Sequence, residues 1–101
     1  MSKQENRFDD IRTWATIRGL YESGSVEKQF IKLSEEIGEL AQGIMKQDSK
    51  LIDDSIGDMV VVLTNLAHLH GTTIEACIEL AWNEIKDRKG KMENGTFVKD
   101  K

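Results

Sequence analysis

The sequence predicts an all-α protein built as a four-helix bundle. No proline interrupts the 101 residues, and apolar residues recur with a period near 3.6 along most of the chain. Hydrophobic residues make up 39% of the sequence and charged residues 32%, proportions that are ordinary for a globular protein. We therefore expect a single helical domain over residues 1–101, with a core small enough that association with further copies would enlarge it.

Composition also excludes several classes of function. The net charge of −4 argues against a protein that binds nucleic acid, whose binding surface would be basic. The one cysteine, Cys77, has no partner for an internal disulfide, and no cysteine–histidine cluster has the spacing of a zinc site. The polar N-terminus does not resemble a signal peptide, and every apolar run is too short to span a bilayer. We expect a cytoplasmic protein that does not enter a membrane.

The first half of the chain predicts two helices. Residues 1–6 are polar and are expected to fray. A first helix is predicted over about residues 7–21, and Ser25 is expected to cap a second helix over about residues 26–46. An apolar stripe predicts which face of the second helix packs in the core. Its members are Leu33, Ile37, Leu40 and Ile44.

The second half predicts two more helices. Either Asp48 or Ser49 is expected to cap a third helix over about residues 50–70. Thr72 is expected to cap a fourth helix over about residues 73–89, whose buried stripe would include Ile74, Cys77, Ile78, Ala81 and Ile85. The C-terminal tail, residues 90–101, contains Asn94-Gly95, a strong signal for a tight β-hairpin.

The third helix is apolar around nearly its whole circumference. Ile56, Val60 and Leu63 form one stripe, while Val61 and Val62 point to either side of it. A helix that is apolar all round is normally buried on all sides. Three other helices in so short a chain can hardly surround it. We therefore expect a homodimer or homotetramer with the third helix at the interface.

Three carboxylates, Glu35, Glu36 and Glu39, occupy five positions of the second helix. Helical spacing makes Glu36 a neighbour of Glu39 at i, i+3, and Glu35 a neighbour of Glu39 at i, i+4. Like charges repel at these spacings, so the pattern predicts a cation that offsets them. Lys32, one turn before Glu36, either contacts a ligand phosphate or merely offsets the acids. The ordinary alternative is a solvated helix face without any ligand.

A second acidic pair, Asp54 and Asp58, lies one turn apart near the start of the third helix. Carboxylates beside so much apolar surface are costly unless they are paired or bound to metal. Acids from two adjacent helices in one cleft would form an all-oxygen site suited to Mg²⁺ or Mn²⁺. Gly38 and Gly57 precede Glu39 and Asp58, which indicates either a close approach of the backbone or room for a ligand. The alternative for the aspartates is a favourable position in the helix dipole.

The E-E-x-x-E motif, followed by an acidic I-G-D motif and an apolar helix, resembles the MazG-like, all-α nucleoside triphosphate pyrophosphohydrolases. The resemblance covers about residues 14–98 and is closest to the short single-domain proteins of bacteria and phages. It implies a Mg²⁺-dependent enzyme that cleaves an NTP or dNTP to the monophosphate and pyrophosphate. It also implies metal-ligand roles for Glu35, Glu36, Glu39 and Asp58, and assembly into dimers or tetramers.

One position departs from the family pattern. The second motif of the family is usually E-x-x-D, and the glutamate position is Ser55 in this chain. Asp54 is the neighbouring candidate to supply the missing carboxylate, although its direction differs by about 100° on the helical wheel. The resulting set of candidate metal ligands is Glu36, Glu39, Asp58 and Asp54.

Side chains at the end of the fourth helix are candidates for binding the substrate phosphates. The resemblance favours Asn83, Lys86 and Arg88 in this role, with Lys32 as a further candidate from the second helix. The alternative for the basic residues is that they only complement the negative end of the helix dipole.

The predicted chemistry is metal-assisted hydrolysis. Carboxylates of the second and third helices hold Mg²⁺, with Mn²⁺ as a substitute, and Glu35 or Glu36 orients or deprotonates the attacking water. Two alternatives remain open: a phosphoribosyl-nucleotide pyrophosphohydrolase, and a non-catalytic helical module that binds metal or nucleotide without turnover. Trp14 and Trp82 are candidates for stacking on a base, with burial in the core or an interface as the ordinary alternative.

Overall fold

A computed structural model of the chain describes residues 7–101, which form five helices and a C-terminal hairpin. The helices are α1 (Arg7–Ile17), α2 (Leu20–Ser23), α3 (Val26–Lys46), α4 (Ser49–Leu69) and α5 (Ile74–Ile85). The strands are β1 (Gly90–Glu93) and β2 (Thr96–Lys99), paired antiparallel. The predicted all-α class is confirmed. The predicted fraying of residues 1–6 lies outside the described residues.

The predicted first helix is divided in two. Gly19 has a φ of 75°, a left-handed conformation that glycine adopts readily, and the helix direction changes there. The break lets α2 turn onto α4, where Tyr21 Oη donates a 2.6 Å hydrogen bond to Oδ1 of the buried Asn65. The Tyr21 ring also stacks on the His68 ring, with 3.8 Å between the centroids. The prediction of one continuous helix over residues 7–21 is therefore wrong.

The helix caps follow local sequence. Ser25 caps α3 and Asp48 caps α4, as predicted, and each side chain accepts a hydrogen bond from a backbone N–H three residues later. The prediction of Thr72 as the cap of α5 is wrong by one residue. The Thr73 hydroxyl accepts the N–H of Ala76 at 3.0 Å instead.

The helices α3 and α4 form a long antiparallel pair, and α1, α2 and α5 all pack against α4. The two helices of this pair pack closely near their connecting turn, where Gly43 is buried. A Cβ atom at position 43 would lie 3.1 Å from Ile52 Cγ1 and 3.3 Å from Leu51 Cγ. These distances are tighter than ordinary contacts, so the absence of a side chain at Gly43 sets the spacing of the two helices.

The α3 face that meets α4 is not the predicted apolar stripe. Glu36 and Gly43 are buried against α4, whereas Ile37 is 49% exposed and Ile44 is 59% exposed. Burying the row that contains Glu36 turns the next row of apolar side chains outward, because successive rows lie about 100° apart. The predicted stripe is therefore only partly correct.

The core lies along the second half of α4, where α1 and α2 cover it. Val62 is only 6% exposed, and Thr64, Asn65 and Ala67 are also buried. The prediction that Val62 remains uncovered in a single chain is therefore wrong. The apolar α4 residues that do remain uncovered are Ile56, Val60 and Leu63, with 51%, 38% and 36% exposure. Together with Ile37 and Ile44 of α3, these three residues are called the α3–α4 apolar face below.

The last part of the chain is exposed throughout. Every residue from position 78 to position 101 is exposed, and this segment is called the C-terminal arm below. The predicted hairpin is confirmed, with Asn94 and Gly95 both at positive φ in its turn. The predicted fourth helix was too long, since α5 ends at Ile85. Within the described residues, no helix is both long and apolar enough to cross a membrane.

Candidate metal and nucleotide site

Three carboxylates meet between α3 and α4. Glu36, Glu39 and Asp58 each offer one oxygen, and these oxygens all lie within 4.8 Å of one another. Glu36 and Glu39 are one turn apart on the same flank of α3, and the antiparallel course of α4 brings Asp58 opposite them. The structure thus brings together three of the four residues that the sequence suggested as metal ligands.

Glu36 is the buried member of the group. It is 5% exposed, and its Oε2 atom has no hydrogen-bond partner among residues 7–101. Burial raises the pKa of the Glu36 carboxyl, and the nearby charges of Glu39 and Asp58 raise it further, while Lys32 acts in the opposite direction. A buried carboxylate without a partner for one oxygen is costly, which makes a bound cation a natural complement.

This burial predicts a stability cost for the ionised group. The pKa of the Glu36 carboxyl is higher in the folded chain than in the unfolded chain. At pH values above its pKa in the folded chain, the ionised carboxylate therefore destabilises the folded state. This destabilisation disappears below about pH 4, where both states are protonated. We expect Glu36→Gln to raise the thermal midpoint of the metal-free protein at pH 7.5 by several degrees and to have little effect at low pH. Thermal melts in EDTA would measure both shifts, with Glu35→Gln, an exposed neighbour, as the control. A lowered midpoint at pH 7.5 would contradict this account.

The donor set fits a hard divalent cation. All three residues offer carboxylate oxygens, which Mg²⁺ and Mn²⁺ prefer over softer ligands. Ligand oxygens around Mg²⁺ are about 3.0 to 4.2 Å apart in an octahedron with bonds of about 2.1 Å. The three carboxylate oxygens lie up to 4.8 Å from one another, so they need to move only slightly closer together to bind the ion. Glu39 and Asp58 are exposed and can supply that movement by side-chain rotation.

Asp54 and Ser55 occupy different surroundings from those expected. The Asp54 carboxylate is exposed, lies 3.5 Å from Lys50 Nζ, and is not among the three converging groups. Ser55 is 1% exposed, and its hydroxyl has no hydrogen-bond partner among the described residues. The side chain that faces inward one turn before Asp58 is therefore the serine hydroxyl.

The remaining α3 candidates lie at the edge of the carboxylate group. Lys32 Nζ is 3.6 Å from the Glu35 carboxylate and 3.7 Å from that of Glu36, so it bridges the exposed and the buried acid. Glu35 is exposed. Its charge is balanced by Lys32, which also pairs with Glu36.

A cavity opens directly beside Asp58. Its volume is about 450 Å³, and its lining consists of Arg7, Asp10, Ile11, Trp14, Asp58 and Val61. Arg7 and Asp10 form an ion pair at 3.4 Å, and the Arg18 guanidinium lies 4.4 Å from the Trp14 ring centroid. Sequence analysis did not identify Arg7 or Asp10. Their spacing from Trp14, which places all of them on one face of α1, was the available signal.

The predicted phosphate-binding residues lie in the C-terminal part of the chain, with Asn83 on α5 and Lys86 and Arg88 after its end at Ile85. Asn83, Lys86 and Arg88 all belong to the C-terminal arm and are exposed. Within residues 7–101, the acids that form ion pairs do so with Arg7, Arg12, Lys32, Lys50 and Lys91. In a single chain, the arm cations at positions 86, 88 and 89 therefore have no acidic partner among the described residues.

Comparison with known proteins identifies the family. The sequence model of the MazG nucleotide pyrophosphohydrolase domain matches residues 25–92, which include all three converging carboxylates. The chain is also 45% identical over 67 residues to an uncharacterized 18.2 kDa protein in the rep-hol intergenic region of Haemophilus phage HP1 (strain HP1c1). The match covers 66% of this chain but only 41% of the phage protein. No solved structure matches significantly. The family match spans well over half of the sequence, and the chain therefore belongs to the MazG nucleotide pyrophosphohydrolase family.

Proposed function

We propose that the protein is a Mg²⁺-dependent nucleoside triphosphate pyrophosphohydrolase that converts an NTP or dNTP to the monophosphate and pyrophosphate. The observation that carries the proposal is the buried Glu36 carboxylate, with one unpartnered oxygen, facing Glu39 and Asp58. Family membership supports the reaction class, and the all-oxygen donor set supports Mg²⁺, with Mn²⁺ as a substitute.

In this proposal, Glu36, Glu39 and Asp58 hold the ion. When bound, Mg²⁺ supplies electrostatic stabilisation of the charge on the phosphate oxygens during hydrolysis. Glu36 is then committed to the cation, which leaves Glu35 as the better candidate to orient and deprotonate the attacking water. Lys32 contributes a positive charge at the same edge, 3.6 Å from the Glu35 carboxylate. It can contact a phosphate oxygen that the ion does not reach.

The cavity between α1 and α4 is proposed to receive the nucleoside. It adjoins Asp58, so a triphosphate at the carboxylate group would point its nucleoside toward Trp14 and Ile11. The Trp14 ring is 46% exposed and offers an aromatic surface. The oppositely charged side chains of Arg7 and Asp10 can hydrogen-bond the polar edge of a base.

The alternative of a non-catalytic binding module rests on one observation. The converging group contains three carboxylates, with Ser55 at the fourth position of the family pattern. Such a site could bind metal and nucleotide without turnover. Measurement of pyrophosphate release from a panel of NTPs and dNTPs, with Mg²⁺ or with EDTA, separates the two functions. Saturable nucleotide binding without pyrophosphate release from any substrate would favour the binding module.

Asp54 remains our candidate for the fourth carboxylate. To join the other three it must leave Lys50, which its exposed position allows. We expect Asp54→Asn to lower the rate of pyrophosphate release as the loss of a ligand would, and Ser55→Ala to have a mild effect. Lys50→Ala, which removes the competing partner, is the matched control and should not lower the rate. A normal rate for Asp54→Asn would mean that water takes the fourth position, as Mg²⁺ permits.

We further propose that the protein is a homodimer or homotetramer in which the α3–α4 apolar face is buried between copies. Ile37, Ile44 and Ile56 are each about half exposed in the single chain. Val60 and Leu63 of α4 are 38% and 36% exposed, and several large apolar side chains left exposed on one helix pair favour an interface there.

A further inference from the structure

The tryptophan ring that borders the cavity beside Asp58 is covered on one face by an arginine. Trp14 lines the cavity and is 46% exposed. The guanidinium carbon of Arg18 lies over the Trp14 ring, 4.4 Å from its centroid, within the range of a cation–π contact. Arg18 is not among the residues that line the cavity. The part of the ring that faces the cavity is therefore separate from the part that Arg18 covers.

Local features of the helix place Arg18 over this ring. Side chains of an α-helix lean toward its N-terminus, so a long side chain reaches the residue four positions earlier. Arg18 Nη1 also donates a 3.3 Å hydrogen bond to the backbone carbonyl of Trp14. Arg18 directly follows Ile17, the last residue of α1, where the negative end of the helix dipole favours a cation. The contact between Arg18 and Trp14 thus follows from their spacing and from the end of the helix.

Arg18 differs from the other two arginines in the first part of the chain. Arg7 and Arg12 each form an ion pair with at least one carboxylate. Arg18 forms no ion pair within residues 7–101. Its contacts are the ring and the carbonyl of Trp14. The side chain therefore serves the tryptophan rather than neutralising an acid.

A ring that is held on one face can accept a planar group on its open part without further ordering. An exposed tryptophan otherwise samples several rotamers, and fixing one of them costs conformational entropy. Arg18 restricts the Trp14 ring before a ligand arrives, so binding loses less entropy. Nucleic-acid bases stack on aromatic side chains whatever their sequence, because every base has a π-face. A base in the cavity could thus stack on a ring that is already in position.

We propose that Arg18 is a positioning residue for nucleoside binding, which holds the Trp14 ring so that the base of the nucleotide stacks on its cavity side. This inference rests on the proposed function, which assigns the cavity to the nucleoside. Arg18 does not line the cavity. It therefore acts through Trp14 and not by touching the nucleotide.

The effect of this contact is expected in KM rather than in kcat. The reacting phosphate is proposed to lie at the carboxylate group, whereas the base lies at the other end of the nucleotide. Stacking on Trp14 is then equally strong in the ground state and in the transition state. Loss of such uniform binding raises KM and leaves kcat unchanged.

Substitutions of Arg18 test this expectation. We expect Arg18→Ala to raise KM about two- to fivefold, which corresponds to the strength of an exposed contact between a cation and a ring. Arg18→Lys keeps a positive charge that can lie over the ring and should recover part of the affinity. Lys28→Ala, which removes one exposed positive charge from α3, should have the wild-type KM. Arg18→Gln keeps most of the side-chain stem and replaces Arg18→Ala if circular dichroism shows that Arg18→Ala is unfolded.

The fluorescence of Trp14 provides a measurement that does not depend on turnover. The chain has two tryptophans, so Trp82→Phe leaves Trp14 as the only one. In this background, α,β-methylene analogues of the NTPs and dNTPs, which resist cleavage at that position, are titrated in the presence of Mg²⁺. A stacked base should quench the Trp14 emission and protect the ring from acrylamide. With Arg18→Ala added, acrylamide should quench the free protein more strongly, and the analogues should bind more weakly by the same factor as the rise in KM.

The outcomes separate this inference from the proposed function. If the analogues quench Trp14 but no NTP or dNTP releases pyrophosphate, the enzymatic function is rejected and the positioning role of Arg18 is kept. If pyrophosphate is released but the Trp14 emission does not respond to the analogues, the inference is overturned and the enzymatic function is kept. An Arg18→Ala protein with the wild-type KM, or with a lower kcat at the same KM, would also overturn the inference. A protein that neither binds the analogues nor releases pyrophosphate would overturn both.

Discussion

Glu39→Gln is expected to abolish pyrophosphate release and to remove the stabilisation of the protein by Mg²⁺. The substitution keeps the size of the side chain but removes one of the three charges that converge on the proposed ion. Removing one preorganised electrostatic group typically costs about 10² to 10³ in rate. We expect a loss at or above that range, because the ion itself would be bound less tightly.

Thermal melts provide the second readout of the same substitution. Any ligand that binds only the folded state raises the midpoint, and an ion at one hundred times its dissociation constant contributes about 2.7 kcal/mol. Millimolar Mg²⁺ should therefore raise the midpoint of the wild-type protein and leave that of Glu39→Gln unchanged. Lys28→Gln is a suitable control on the same helix. A wild-type midpoint that is indifferent to Mg²⁺, even with nucleotide present, would refute the metal site.

The second large effect is expected from two glutamate substitutions on α4, one in the core and one on the α3–α4 apolar face. Val62 is 6% exposed and Val60 is 38% exposed, two residues apart on α4. Val62→Glu places an unpaired charge in the core of the chain and should destabilise it by at least about 3 kcal/mol. Val60→Glu places the same charge on the α3–α4 apolar face, where a single chain tolerates it and a dimer does not.

Circular dichroism and light scattering distinguish these outcomes. Val62→Glu should lose helical signal and melt early, whereas Val60→Glu should remain helical and dissociate. Val60→Thr, similar in shape and uncharged, should stay associated. If Val60→Glu has the same mass in solution as the wild type, the α3–α4 apolar face is not the interface.

The sequence predicted the parts of the structure that depend on local chemistry. Ser25 and Asp48 cap their helices because a short polar side chain can reach a free N–H three residues on. Asn94 and Gly95 form the hairpin turn because both tolerate positive φ. The juxtaposition of Glu36 and Glu39 likewise follows from helical periodicity alone.

Rotation of the helices about their axes could not be predicted in the same way. The apolar row of α3 was predicted to pack in the core, whereas the acidic row with Glu36 faces α4, and periodicity alone does not choose between the two rows. The choice depends on how closely the partner helix approaches, which Gly43 and the side chains of Leu51 and Ile52 determine together. For the same reason Ile37 is exposed while Glu36 is buried.

Residues from α1 were missed because their role depends on tertiary placement. Arg7 and Asp10 have the composition of an ordinary solvated helix surface, and their ion pair is a common one at i, i+3. Only the packing of α1 across α4 places them on the cavity beside Asp58. The break at Gly19, which contributes to that packing, was read from the sequence as part of a continuous helix.

Gly43 also makes the geometry of the carboxylate group sensitive to a residue that never touches a ligand. It lies seven residues from Glu36 along α3, a distance of about 10 Å at 1.5 Å per residue. A methyl group there would have to displace Ile52 or Leu51 by a few tenths of an ångström. The two helices α3 and α4 would then separate slightly near this turn. We expect the carboxylates of Glu36 and Asp58 to move apart as a result.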